Sequence, residues 1–170
     1  GVVGVLAPGT GLGMALLDFP RGAPRALSSE GGHAGLAPQG PEEVALWEYL
    51  YRRHGHVSLE RVLSGPGLAA VYDWICATEG VPEARRVVPA AGEPDAAAAI
   101  AREGVSGRDA PSRRAVDRFA RLLGSAAGNL ALTGRTTGGV YLGGGVAAAL
   151  LPRLAAGGFR EAFEAKGPQA

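Results

Sequence analysis

Two short apolar runs, Gly1 to Ala7 and Met14 to Phe19, flank Gly9 to Gly13, where glycine falls at alternate positions. Runs of β-type residues joined in this way predict a strand, a glycine-rich turn and a second strand, with a third strand around Arg25 to Ser28. From Glu42 the period becomes helical: Val44, Trp47 and Tyr51 share one face, with Leu46 and Leu50 beside it. Pro41 suits the first turn, Glu42 and Glu43 the positive end of the dipole, and Arg52, Arg53 and Gly55 the carboxyl end.

A second helix is predicted from about Pro66 to Thr78, burying Leu68, Val71, Tyr72 and Ile75 and stopping before Gly80 and Pro82. Glu83 to Gly92 reads as a loop and Pro94 to Arg102 as a short alanine-rich helix. Ala110 to Ala131 is the longest helix, with Val116, Phe119, Leu123, Ala126 and Leu130 three and four apart, and Ala126, Ala127 and Gly128 suited to close approach to a sheet. Gly138 to Leu142 follows as a buried strand, Gly143 to Gly145 as a tight turn, and Val146 to Leu154 as a helix. Strands, then helices, then strand–turn–helix predict one α/β domain, a mixed sheet with flanking helices. No solenoid-period repeat and no long linker divides it.

Composition narrows the function classes. The 17 Lys and Arg against 16 Asp and Glu leave a formal charge of +1, too little to recruit nucleic acid or an anionic membrane. Glycine and proline, 28 and 12 of 170 residues, approach a low-complexity level, but 46% hydrophobic content and clustering of the glycines favour a folded domain. Cys76 is the only cysteine, which removes intrachain disulfides and multi-cysteine zinc or iron–sulfur sites and fits a reducing compartment. Lys166 is the only lysine and is followed by Gly167 and Pro168, so neither a Walker A loop nor a protein-kinase strand lysine is available. The apolar start has no basic lead and is interrupted by Pro8, unlike a signal peptide or membrane span. It begins abruptly at Gly1, and a helical pattern runs almost to Ala170, so both ends are expected to be cut.

Three segments could carry chemistry. Gly9, Thr10, Gly11 and Gly13 offer amides and a hydroxyl to phosphate oxygens, although such a hairpin is also simply a tight turn, and GxGxG between strands is not the dinucleotide fingerprint. Glu30 and His33, around Gly31 and Gly32, can aim a carboxylate and an imidazole at one polar ligand; a helix cap or surface ion pair is the alternative for Glu30. A hydrogen bond to a charged group contributes roughly 1.5 to 3 kcal/mol. Gly138 to Val146, a strand running into GGGV and then a helix, offers a surface nearly free of side chains for a flat base, or simply close strand–helix packing. His54 and His56 have metal-like spacing, yet beside Arg52 and Arg53 they read as helix-end charge. There is no GxSxG elbow, and Cys76 sits on an apolar helix face, so nucleophilic catalysis has little support.

Taken in order, APGTGLG at Ala7 to Gly13, SEGGHAGLAP at Ser29 to Pro38, GHVSLERVLSGPGL at Gly55 to Leu68, GNLAL at Gly128 to Leu132, GGVYLGGGV at Gly138 to Val146 and FREAFEAKG at Phe159 to Gly167 resemble the bacterial glucokinases. That family belongs to the hexokinase and actin-like ATPase superfamily, and the resemblance covers essentially the whole chain. It implies an actin-like ATPase (ribonuclease H-like) large domain, incomplete at both ends. It implies that Gly9, Thr10, Gly11 and Gly13 face ATP phosphates, that Gly143, Gly144 and Gly145 lie near adenosine, and that Glu30, His33 and Glu60 bind glucose hydroxyls. Two ionised acceptors and an imidazole suit a polyol and would repel an acidic substrate. The repressor and kinase branch with a cysteine-rich zinc motif is a poor match.

The family's catalytic aspartate, in an Asn–Asp pair, and its first phosphate motif precede the point matched by Gly1, so no catalytic residue is expected in this chain and the small domain lies outside it. The expected activity of the parent protein is phosphorylation of glucose at O6 with ATP and the Mg²⁺ it carries, in the cytoplasm, by a homodimer, with no nucleic-acid or membrane partner. The isolated 170 residues are expected to be inactive. Removal of the Glu60 carboxylate is expected to weaken glucose alone. A non-catalytic sugar-binding or truncated structural domain of the same fold is the alternative, and a dinucleotide-dependent oxidoreductase a distant third.

Overall fold

The computed structural model describes residues 1–20, 23–90 and 95–169. Strand β1 (Val2–Pro8) turns directly into β2 (Leu12–Asp18), with Val2 opposite Asp18 and Pro8 opposite Leu12. Strand β3 (Arg25–Ser29) continues the antiparallel pairing along β2, and β4 (Val140–Leu142) joins the other side of β1 in parallel. The order β3-β2-β1-β4 is therefore mixed, as the sequence predicts. The second strand starts two residues before the expected Met14, because Leu12 and Gly13 already pair with β1. Only Gly9 to Gly11 remain as the turn.

Seven helices follow among the described residues: α1 (Pro41–His54), α2 (Gly65–Glu79), α3 (Ala96–Ser106), α4 (Ala110–Gly134), α5 (Gly145–Ala149), α6 (Leu151–Leu154) and α7 (Gly158–Glu164). Helix α2 buries Leu68, Val71, Tyr72 and Ile75 as predicted, and Ser64 caps it by accepting the Gly67 N–H at 3.0 Å. Helix α3 runs four residues past Arg102 and is capped by Asp95; the predicted start at Pro94 and the loop residues Ala91 and Gly92 lie outside the described residues. The rest of that loop holds one 3₁₀ turn, Glu83–Arg85. Helix α4 buries Val116, Phe119, Leu123, Ala126 and Leu130 and packs against β1, α2, α3 and α7, forming the centre of the core.

Four expectations are corrected. On α1 the buried positions are Glu43, Leu46 and Leu50, whereas Val44 and Tyr51 are exposed; Trp47 packs against the edge of the core, and Tyr51 stacks on it with ring centroids 4.7 Å apart. Gly128 does not admit the sheet: together with Gly124 it admits α7 and the segment after it, the Phe163 carbonyl and the Lys166 side chain occupying the place of a side chain at 128. Strand β4 is only partly buried, with Tyr141 exposed. The predicted helix Val146 to Leu154 is broken at Leu150 into α5 and α6, because Pro152 has no N–H to continue the ladder.

The lone lysine ties the segment after α7 to the core. Lys166 Nζ donates to the Ser125 carbonyl at 3.0 Å, and loss of hydration lowers its pKa. Buried Glu43 accepts the Gln39 N–H at 2.7 Å and faces Arg118 at 3.7 Å; burial pushes its carboxyl up. No helix among the described residues is long and apolar enough to cross a membrane.

Candidate functional site

Gly31–His33 forms a single 3₁₀ turn behind β3, with Glu30 at its start. Glu30 makes no cap hydrogen bond, so the cap alternative does not hold. Its side chain is 93% exposed and lies 3.9 Å from His33 Nε2, a surface pairing of the kind the other alternative describes. Gly32 packs so tightly on the hairpin that a Cβ there would meet the Leu12 carbonyl, with the Leu12 Cβ at 3.2 Å. Glycine at 32 is therefore a steric requirement.

The segment Val57 to Glu60 lies along the far side of this turn. Leu36 N–H donates to the Val57 carbonyl at 2.8 Å, Leu59 N–H to the Ala34 carbonyl at 2.9 Å, and Glu60 N–H to the Gly32 carbonyl at 2.9 Å. These bonds bring Glu60, half-buried with 34% of its side chain exposed, to 4.0 Å from His33 Nδ1. Glu30, His33 and Glu60 thus converge, the imidazole lying between two carboxylates. The His56 ring Nε2 sits 3.1 Å from the His33 carbonyl, which steadies that residue's backbone.

Glu60 also reaches the hairpin. Its Oε2 accepts the Leu12 N–H at 2.9 Å, and a Cβ on Gly11 would lie only 2.6 Å from the same oxygen. The tip of the hairpin is held from the other side, where Gly65 N–H donates to the Gly9 carbonyl at 2.7 Å at the start of α2. Ser64 Oγ donates to the Glu60 carbonyl at 2.8 Å while it caps α2, so the hairpin, Glu60 and α2 share one hydrogen-bond framework.

Beside the tip, a cavity of about 370 Å³ is lined by Gly9, Thr10, Gly65 and Asp95 together with Leu68, Ala98, Ala101, Gly145 and Val146. A lining that combines glycine backbone and a hydroxyl with apolar side chains suits a ligand that is part polar and part apolar. Gly144 has φ +81°, and a Cβ there would strike the Pro8 carbonyl; Gly143 N–H donates to the Leu6 carbonyl at 2.8 Å. These two glycines press the β4–α5 turn against β1, leaving Gly145 open to the cavity. A second cavity, about 460 Å³, has Thr10 and Glu60 on its wall together with Arg61 and Ser64.

The structure thus gathers Glu30, His33 and Glu60 in one place, and Gly9, Thr10 and Gly145 on one cavity. Gly11 faces Glu60, Gly13 lies within β2, and Gly143 and Gly144 support the wall without lining it. Sequence reasoning passed over Ser64, Gly65 and Asp95. The Ser–Gly–Pro run before an apolar period and the aspartate before an alanine run were the available signals, both of them helix-start patterns. No group of three or more His, Cys, Asp or Glu among the described residues is arranged to hold a metal ion.

A family model described as Glucokinase matches residues 1–170. Glucokinase of Chromobacterium violaceum is 45% identical over 163 residues, covering 96% of this chain and 44% of the relative. Glucokinase of Ralstonia nicotianae is 42% identical over 164 residues, covering 96% of this chain and 48% of the relative. The crystal structure of a glucokinase from an Antarctic psychrotroph superimposes with a TM-score of 0.82 at 37% identity, covering 98% of this chain and 49% of that one. That of Balamuthia mandrillaris glucokinase in complex with glucose also gives 0.82, at 26% identity, covering 99% and 46%. The chain spans about half the length of the curated relatives it matches.

Proposed function

The chain belongs to the glucokinase family and has its actin-like ATPase fold, and on that premise we propose that the protein transfers the γ-phosphoryl group of ATP to O6 of glucose. Residues 1–170, as most of the large domain, supply the sugar-orienting side chains and one wall of the nucleotide site. The observation that carries this reading is the convergence of Glu30, His33 and Glu60 beside a glycine hairpin whose tip opens on the 370 Å³ cavity.

In this reading the two carboxylates accept hydrogen bonds from ring hydroxyls and His33 holds the sugar between them. Glu60 has one oxygen engaged by Leu12, so it orients the sugar rather than taking a proton. The base is an aspartate contributed from outside these residues. Gly9 and Thr10 present their amides and a hydroxyl to the phosphates, and the Leu68, Ala101 and Val146 wall receives the adenine near Gly145. Gly11, Gly13, Gly143 and Gly144 shape that site from behind. The one carboxylate lining this cavity, Asp95, accepts the Ala98 N–H through Oδ1. Mg²⁺ carried by the nucleotide would supply neutralisation of charge on the transferring group. Closure of the small domain excludes water. The full-length protein acts as a cytoplasmic homodimer.

The test is formation of glucose 6-phosphate by the full-length protein. Glu30→Ala, which touches no part of the hairpin, should raise KM for glucose roughly ten- to a hundredfold, the equivalent of about 1.5 to 3 kcal/mol, and leave KM for ATP unchanged. Residues 1–170 alone should not turn over, and turnover at a normal kinase rate would sink the assignment of the base. Glucose binding without phosphoryl transfer in the full-length protein would favour the non-catalytic alternative.

A further inference from the structure

Glu60 stands at a junction that the sugar-binding reading does not use. One carboxylate oxygen, Oε1, faces His33, while Oε2 accepts the Leu12 N–H at 2.9 Å across 48 residues of sequence. The surroundings of that bond are close-packed. A methyl group on Gly11 would push Oε2 aside, one on Gly32 would strike the Leu12 carbonyl, and the Glu60 N–H is bonded to the Gly32 carbonyl. The hairpin tip is pinned separately, by Gly65 to the Gly9 carbonyl. The Leu12 amide sits one residue after the Gly9–Thr10–Gly11 turn, so any movement of the Glu60 carboxylate is transmitted to the turn that opens on the nucleotide cavity.

We propose that Glu60 is a positioning residue for the phosphate hairpin as well as a sugar ligand, so that a bound sugar fixes the hairpin through the Leu12 amide and raises nucleotide affinity. Gly11 is then required in part to let the Glu60 carboxylate seat, in addition to any approach to phosphate. The inference rests on the glucokinase reading above and extends it to the coupling between the two substrates. Coupling of this kind is reciprocal: sugar and nucleotide strengthen each other by the same factor. It also revises the expectation that loss of the Glu60 carboxylate weakens glucose alone.

Three variants of the full-length protein separate the roles. Glu60→Ala should raise KM for glucose at least tenfold and KM for ATP by about fivefold or more, within the usual span of coupling factors. Glu60→Gln keeps an oxygen to accept from Leu12, so it should restore KM for ATP to near the original value while KM for glucose stays high. Glu30→Ala should move glucose alone. An ATP value within twofold of the original in Glu60→Ala, or equal losses in the Ala and Gln variants, would overturn the proposal.

Hydrogen exchange on the unmodified protein gives a reading that no folding defect can confuse. Glucose alone, without nucleotide, should slow exchange in a peptide spanning Gly9 to Met14 as well as in peptides holding Glu30 and Glu60. Protection at Glu30 and Glu60 with none in the hairpin refutes the coupling and leaves the sugar site standing. Protection at none of the three refutes the glucose reading itself, and the coupling with it.

Discussion

Replacing Gly124 by alanine sets two known effects against each other at a place where the structure decides the sign. In an unobstructed helix, glycine to alanine stabilises by about 0.5 to 1 kcal/mol, because the unfolded chain has less freedom to lose. Gly124 is at the middle of α4 where α7 crosses it. A Cβ built there falls on the Phe159 carbonyl, with the carbonyl carbon at 2.9 Å and the Cα at 3.1 Å. Carbon–carbon contacts normally sit at about 3.5 to 4.0 Å, so α7 would have to retreat by roughly half an ångström or more. The obstructing atoms are main chain, and no rotamer change can clear them. Retreat would also loosen Phe159 and Phe163 from the core they pack against and strain the Lys166 bond to Ser125. Overpacking of this type costs about 1 to 3 kcal/mol, and a main-chain clash belongs at the upper end. The net expectation is a loss of about 1 to 2 kcal/mol, or a fall in Tm of roughly 2 to 8 °C for a chain of this size. Thermal unfolding followed by far-ultraviolet circular dichroism measures it. Gly158→Ala is the companion measurement: its Cβ would lie 3.4 Å from Arg121 Cγ, an ordinary contact, and Tm should hold or rise. A Gly124→Ala protein that melts at or above the original temperature would refute the packing argument.

Two further outcomes are expected. Hydrogen bonds from Arg108, and then Arg102, hold the Glu103 carboxyl down at about 2; a depressed carboxylate stabilises the fold above its unfolded pKa of 4.5 and loses that contribution as pH falls from there towards 2. Urea midpoints across that window should fall less steeply for Glu103→Gln, and equal slopes would remove Glu103 from the acid limb. Cys76 is fully buried and burial pushes its thiol pKa up, so a thiol reagent at mildly alkaline pH should label it only in denaturant; rapid labelling of the native protein would contradict its burial.

What the sequence reveals depends on how local the cause is. Leu68, Val71, Tyr72 and Ile75 give α2 its buried face because their spacing alone determines it. Tyr51 misleads on α1 because an aromatic four residues from Trp47 looks like core yet stacks on that ring from the exposed side, while a core position goes to Glu43, whose burial depends on Arg118 and Gln39. The ligand-facing glycines are legible as turns, but which face a ligand and which face another loop is not. Gly11 and Gly9 look alike in sequence, and only the arrival of Glu60 distinguishes them. The same holds for Gly128, which looks like a sheet contact until α7 is in place.

The 93% exposure of Glu30 bears on how sugar preference can change. Its side chain takes no part in the scaffold: no backbone group is bonded to it and no glycine makes room for it. Redesign for another hexose therefore has one position that can be varied freely. At Gly11, by contrast, any side chain would meet the Glu60 carboxylate and shift it from the Leu12 amide before any sugar arrives.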